Sequence, residues 1–250
     1  MTHYLFFDEM KSDFLDILNH RSILPVDPDN LSIDYKISLG NSLFEYLTLL
    51  QSKTELLTLA KINNDKMVMQ SALLLIRTHA MSLCSSFDDI VEDAKLILRV
   101  YGYIESQNNY QIPTDYNIVD NKRSEVNGIE RYEFLDKIKI DFLNVLNQKS
   151  VLSIDFYNLS INYKGSLTDL FIKYLTLLES QVGLLTRAKN NNDELAMLTA
   201  ILEIKIYAMG LSNIFDSIVE DAELLIRIGD WADIPEHYKI PDYYNHQTKE

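Results

Sequence analysis

Cysteine, glycine and proline are scarce in this chain, and each scarcity removes a class of protein. The 250 residues hold one cysteine, Cys84, so neither an intramolecular disulfide nor a cysteine-based zinc site can form. Seven glycines and five prolines supply little material for the many tight turns of an all-β sandwich. Basic residues are outnumbered 23 to 37 by acidic ones, a net charge of −14, and the pI is near 4.7. A field of that sign disfavours phosphate backbones and suits a basic partner, although charge also confers solubility. A nucleic-acid ligand is therefore not expected.

Long apolar runs are missing as well. No stretch approaches the eighteen or so apolar residues of a membrane helix. The segment Met1–Glu9 has no basic region, and acids interrupt it before a signal-length apolar run forms. The expectation is a cytoplasmic protein with no membrane contact. Asn30-Leu31-Ser32 and Asn158-Leu159-Ser160 fit the glycosylation sequon, a short pattern with meaning only in a eukaryotic secretory pathway.

What the chain does have is an internal repeat. Asn30-Leu31-Ser32-Ile33-Asp34-Tyr35-Lys36 recurs as Asn158-Leu159-Ser160-Ile161-Asn162-Tyr163-Lys164, and Tyr46–Leu50 as Tyr174–Leu178. Val91-Glu92-Asp93-Ala94 recurs as Val219-Glu220-Asp221-Ala222. The offset is 128 residues throughout, and residues 1–122 laid on 129–250 without a gap share roughly 55 identities. The expectation is two copies, 1–122 and 129–250, joined by a polar stretch near 117–128. They could also form one compact domain. A period this long is not that of a short solenoid repeat.

Apolar positions kept in both copies mark buried faces. Phe7, Met10, Phe14, Ile17 and Leu18 match Leu135, Ile138, Phe142, Val145 and Leu146, a helical stripe. A second stripe runs Leu43, Leu47, Leu50, Thr54 and Leu57 against Phe171, Leu175, Leu178, Val182 and Leu185, a seam of alternating steps of three and four. Asn63-Asn64-Asp65 and Asn191-Asn192-Asp193 then predict a tight helical hairpin, since Asn tolerates the left-handed cap and Asp caps the next helix. A third stripe spans Ala72–Leu83 and Ala200–Leu211, and a fourth Phe87–Leu98 and Phe215–Ile226. The expected fold is all-α: duplicated four-helix units packed with pseudo-two-fold symmetry. Alternation at Leu31, Ile33 and Tyr35, and at Leu159, Ile161 and Tyr163, adds a short strand or extended strap to each copy. The copies end in Tyr-rich tails around Ile112-Pro113 and Ile240-Pro241, where proline forbids a continuing helix.

Catalytic chemistry finds little footing. Cys84 is replaced by Ser212 in the other copy, and the histidines His3, His20, His79, His237 and His246 are scattered. No Glu-x-x-His or His-x-x-x-His spacing and no glycine-rich phosphate loop occurs, so no metal, cofactor or catalytic residue is assigned. The paired tyrosines Tyr35 and Tyr163 read as rings packed inside with the hydroxyl at the surface. Met67, Met69 and Met81 read as adaptable core filling.

The acids after Phe87 and Phe215 carry the functional expectation. Asp88 and Glu92, and Asp216 and Glu220, stand one turn apart on faces turned from the apolar stripe, with Asp89, Asp93 and Asp221 on the adjoining face. In the first copy Lys95 and Arg99 share that face, whereas Glu223 replaces Lys95 in the second and leaves only Arg227. An acidic dock for a cationic partner follows, centred on Asp216, Glu220, Asp221 and Glu223, with Asp88 and Glu92 as the lesser counterpart. A solvated helix face near a helix N-terminus explains the same acids without function. The expected class is an acidic protein-interaction module, for example an immunity or antitoxin protein that covers a basic toxin. The alternative is a small-molecule or lipid binder with a pocket between helices. Homo-oligomeric state is not legible.

Overall fold

The computed structural model describes residues 4–21, 26–102, 129–148, 159–229, 231 and 233–246. The first Tyr-rich tail and the stretch near 117–128 lie outside the described residues. Every regular element among the described residues is helical. Helix α1 spans Leu5–Arg21, α2 Leu39–Ile62 and α3 Lys66–Val100. A short α4, Ile129–Tyr132, precedes α5, Phe134–Gln148. Helix α6 spans Leu167–Asn190, α7 Glu194–Ile228 and α8 Asp242–His246.

The expected third and fourth helices of each copy are one helix of 35 residues. The stripe continues unbroken from Leu83 through Phe87 to Ile90, all buried, and Cys84-Ser85-Ser86 brings neither the glycine nor the proline that would end a helix. The expectation of four helices per unit is thus corrected to three principal ones. It also removes the N-terminus that was to account for Asp88 and Glu92, because both sit more than twenty residues inside α3.

Each hairpin closes as its sequence predicts. Asn64 and Asn192 take φ of 51° and 54°, the left-handed region that Asn tolerates better than most residues. Asp65 N donates to Ala60 O at 2.9 Å and Asn64 N to Lys61 O at 3.1 Å, and Asp193 and Asn192 repeat the pair on Ala188 and Lys189. These are the paired bonds of a Schellman cap. Asp65 and Asp193 then accept from Val68 N and Ala196 N at 3.1 and 3.0 Å, starting α3 and α7.

The chain forms two compact units, and each draws on both sides of the 1–122 and 129–250 division. One comprises the described parts of Met1–Phe44, Ser85–Val126 and Ile172–Ser212, the other those of Glu45–Cys84, Asn127–Phe171 and Asn213–Glu250. Helices α2, α3, α6 and α7 therefore contribute to both. In the first unit Phe7 and Phe87 pack with ring centroids 6.2 Å apart, around a core that includes fully buried Met10 and Phe14. A Cβ on Gly40 would collide with the Tyr4 carbonyl oxygen, so this close approach at the start of α2 needs glycine. In the second unit Phe171 packs on Tyr132 at 4.9 Å and on Phe215 at 5.8 Å.

The stripes are core almost without exception. Leu50, Leu178, Ile76, Ile204, Ala80 and Ala208 are all 0% exposed. Met81 departs from expectation at 45% exposed, whereas Met69 is buried. Helices α3 and α7 are long and apolar enough to cross a membrane by length and composition alone, and about half of each apolar window is buried inside the protein. The second tail is not wholly extended. It forms α8, where Tyr244 is 1% exposed, donates to Asp65 Oδ2 at 3.2 Å and accepts from Asn63 Nδ2 at 3.4 Å.

Candidate functional site

The straps between the first two helices of each half contain bends and turns, with no strand among the described residues. What holds them is a buried carboxylate. In the first unit Asp93 accepts Ser32 N at 2.8 Å, Ile33 N at 3.2 Å and the Tyr35 hydroxyl at 3.1 Å. In the second unit Asp221 accepts Ser160 N at 2.7 Å, Ile161 N at 3.2 Å and the Tyr163 hydroxyl at 2.8 Å. Both aspartates are 1% exposed. Asp221 therefore does not belong to an acidic docking face; its charge faces the strap. Burial raises the Asp93 carboxyl above its usual range against the pull of the three hydrogen bonds. Burial, then the Asp93 charge, holds the Tyr35 hydroxyl well above the usual tyrosine range, and Tyr163 behaves likewise beside Asp221. The hydroxyls point inward to these carboxylates rather than to the surface.

A second carboxylate closes each strap from the other end. Asp8 accepts Ser38 Oγ at 2.6 Å and Leu39 N at 2.8 Å, and Asp136 does the same for Ser166 and Leu167. Ser38 Oγ in turn accepts Asn41 N at 3.1 Å and caps α2. Lys11 donates to the Asp34 carbonyl at 2.8 Å and to that of Ile37.

The other five acids remain exposed but are engaged. In the first unit Asp88 accepts Ser212 Oγ at 2.7 Å and Glu92 pairs with Lys95 at 2.7 Å. In the second, Glu220 accepts the Ser160 hydroxyl, and Glu223 pairs with Arg77 at 3.3 Å. Asp216 is exposed on the same helix. Arg77 corrects the expected charge asymmetry, for Arg227 is not alone in offsetting Glu223. A count along one helix misses a cation that arrives from another.

Each unit also holds an open cleft between a first helix and a hairpin, which the sequence analysis did not assign. In the first, Lys189 bridges Asp13 at 2.5 Å and Asp16 at 2.7 Å, and Thr186 donates to Asp13 at 2.6 Å. Burial opposes the Lys189 charge, but the hydrogen bonds and attraction of Asp13 and Asp16 outweigh it and hold its pKa above the usual range. The cleft of about 480 Å³ is lined by Asp16, Ile17, His20, Tyr101, Lys189, Asn192, Glu194 and Met197. In the second unit Lys61 pairs with Asp141, which also accepts Thr58 Oγ1 at 2.6 Å. That cleft, about 390 Å³, is lined by Thr58, Lys61, Ile62, Asn144 and Asn147. The signal available in sequence was the identity of Asp13, Thr58 and Lys61 with Asp141, Thr186 and Lys189, polar residues kept beside apolar stripes.

No protein-family model matches the chain, and no curated protein or solved structure matches it either.

Proposed function

We propose that this is an acidic cytoplasmic protein-interaction module built from two copies of one helical unit, acting on a basic protein partner. The carrying observation is the net charge of −14 together with the exposure of Asp88, Glu92, Asp216, Glu220 and Glu223 on the long helices. Duplication is supported by contacts that recur 128 residues apart, such as Asp93 on Ser32 and Asp221 on Ser160. An immunity or antitoxin protein is the concrete form of this reading. A rigid acidic scaffold covers a basic toxin, often a nuclease, and opposite charge steers the encounter. The test is capture from the native host followed by association kinetics. A captured partner of high pI, whose association slows steeply from low to high salt and whose toxicity to growth this chain suppresses, supports the reading. An acidic partner, or association insensitive to salt, overturns it.

The two clefts favour a second reading, a small-molecule binder whose pocket lies between helices. A native mass spectrum that shows a carried ligand would support it.

A further inference from the structure

The two units divide each half of the chain into a body and an arm. In the first half the body is the described part of 1–44 and 85–126, and the arm is Glu45–Cys84, a hairpin of α2 and α3 that belongs to the other unit. In the second half the arm is Ile172–Ser212, a hairpin of α6 and α7 that falls on 44–84 when shifted back by 128 residues. Its body is the described part of 127–171 and 213–250. Each unit is thus the body of one half with the arm of the other. The straps lie inside the bodies, where Asp93 and Asp8 hold the first and Asp221 and Asp136 the second, each on donors of its own half.

The contacts that cross between halves join a body to an arm. Asp13 on α1 accepts from Thr186 and pairs with Lys189 of the second arm, and Asp88 accepts from Ser212. Asp141 on α5 accepts from Thr58 and pairs with Lys61 of the first arm. Tyr244 donates to Asp65 and accepts from Asn63, and Glu223 pairs with Arg77. Receptor and arm are alike on both sides. Asp13 and Asp141 each meet a threonine and a lysine three residues apart, and 14 of the 20 positions in Tyr46–Asp65 are identical to those in Tyr174–Asp193. Each half therefore carries both faces of one contact, the self-complementary arrangement from which exchanged dimers form.

We propose that each body is a receptor for such an arm from a second copy of this chain, so that two chains pair by exchanging arms. The inference rests on the reading of the chain as two copies and not on its basic partner. In the pair, Asp13 of one chain takes Thr186 and Lys189 of the other, and the contacts of the single chain re-form with no new surface. A tether between two binding elements sets an effective concentration of about millimolar order. The single chain therefore prevails in dilute solution, and pairing follows when chains refold at a comparable concentration.

The test uses the full chain in a light and an isotopically heavy form. The two are unfolded in guanidinium chloride, mixed in equal amounts, refolded at roughly 1 mM and separated by size. A water-soluble carbodiimide then joins paired amines and carboxylates as amides, which are read by mass spectrometry. Lys189 and Asp16 stand 2.7 Å apart with 25% and 61% of their side chains exposed, within reach of the reagent. The monomer should give the Asp16–Lys189 link within one isotope only. In the dimer about half of that link should join a light chain to a heavy one, as random pairing of exchanged arms requires. Loss of the link in Lys189→Arg, which keeps the charge, assigns it to that amine. Links of one isotope alone in the dimer mean pairing through another surface, and no dimer at that concentration means that the arms stay with their own chain. Either result overturns the exchange and leaves the two-copy reading standing. A monomer without the link overturns the contact of body and arm itself, and with it the recurrence of contacts that supports two copies.

Discussion

The carboxylate of Asp93 and the hydroxyl of Tyr35 meet at 3.1 Å, and the same oxygen also receives the Ile33 amide. One helix residue thus satisfies three donors of a strap that has no strand ladder of its own. Burying those donors without a partner is expensive, so the aspartate decides whether the strap stays down.

Asp93→Ala is therefore expected to cost about 3 kcal/mol, because it strands two amides and a hydroxyl together. Asp93→Asn keeps an acceptor oxygen and should cost about 1 kcal/mol, as should Tyr35→Phe. Denaturant unfolding of the three variants checks the order. A loss under about 0.5 kcal/mol for the alanine variant would mean that water replaces the carboxylate freely.

Leu178 makes a different kind of test. It is 0% exposed on α6, as is Leu50 on α2, and neither has a polar role. Leu178→Ala should cost about 2–5 kcal/mol, the range for truncating a buried leucine. The same change at Leu50 should fall in that range too. Equilibrium unfolding that shows less than about 1 kcal/mol at either site would contradict the burial seen for the seam.

The contrast between these two predictions marks what was legible in the chain. Leu50 and Leu178 were readable because helical periodicity reports which face is apolar, and a repeat supplies a second reading of every position. Asp93 and Asp221 were misread by the same method. Both lie beside the stripe on a helical projection, and nothing local says that a strap some sixty residues earlier covers them. The single long helix was missed because the apolar positions were divided into a third stripe ending at Leu83 and a fourth starting at Phe87, although Cys84-Ser85-Ser86 between them holds no glycine or proline to end a helix. Arg77 on Glu223 and Lys189 on Asp13 are pairs between separate helices. Charge patterns within one helix carry no trace of them.

Asn192 should respond to backbone preference alone. Its φ of 54° favours glycine and penalises branched side chains. Asn192→Gly should be neutral or stabilising within about 0.5 kcal/mol, and Asn192→Val should cost about 1–2 kcal/mol. The matching pair at Asn64, φ 51°, should behave alike. Thermal melts of the four variants check this, and equal effects of valine and glycine would show that the hairpin adopts another turn.

Asp89 gives the pH dependence its sign. Burial first, then repulsion from Asp93 and Asp88, raises its pKa from 3.8 to about 6. A carboxyl raised on folding holds its proton more tightly in the native state. Its contribution is therefore full below pH 3.8 and is lost as pH rises through about 6. The group is half-buried, so solvent screening reduces the effect at neutral pH to about 1 kcal/mol. Asp89→Asn, which cannot ionise, should melt about 2–4 °C above the wild type at neutral pH. Near pH 4 the two should converge, since the native aspartate is then protonated. Asp93 shifts in the same direction and its charge contributes to the Asp89 shift, so the difference between the melting curves reports Asp89 together with its coupling to Asp93. Ser217, which stands 128 residues later, cannot ionise in this range, and Ser217→Ala should leave the pH profile unchanged. Parallel curves for wild type and Asp89→Asn from pH 4 to 7 would show that Asp89 ionises as an ordinary surface carboxylate.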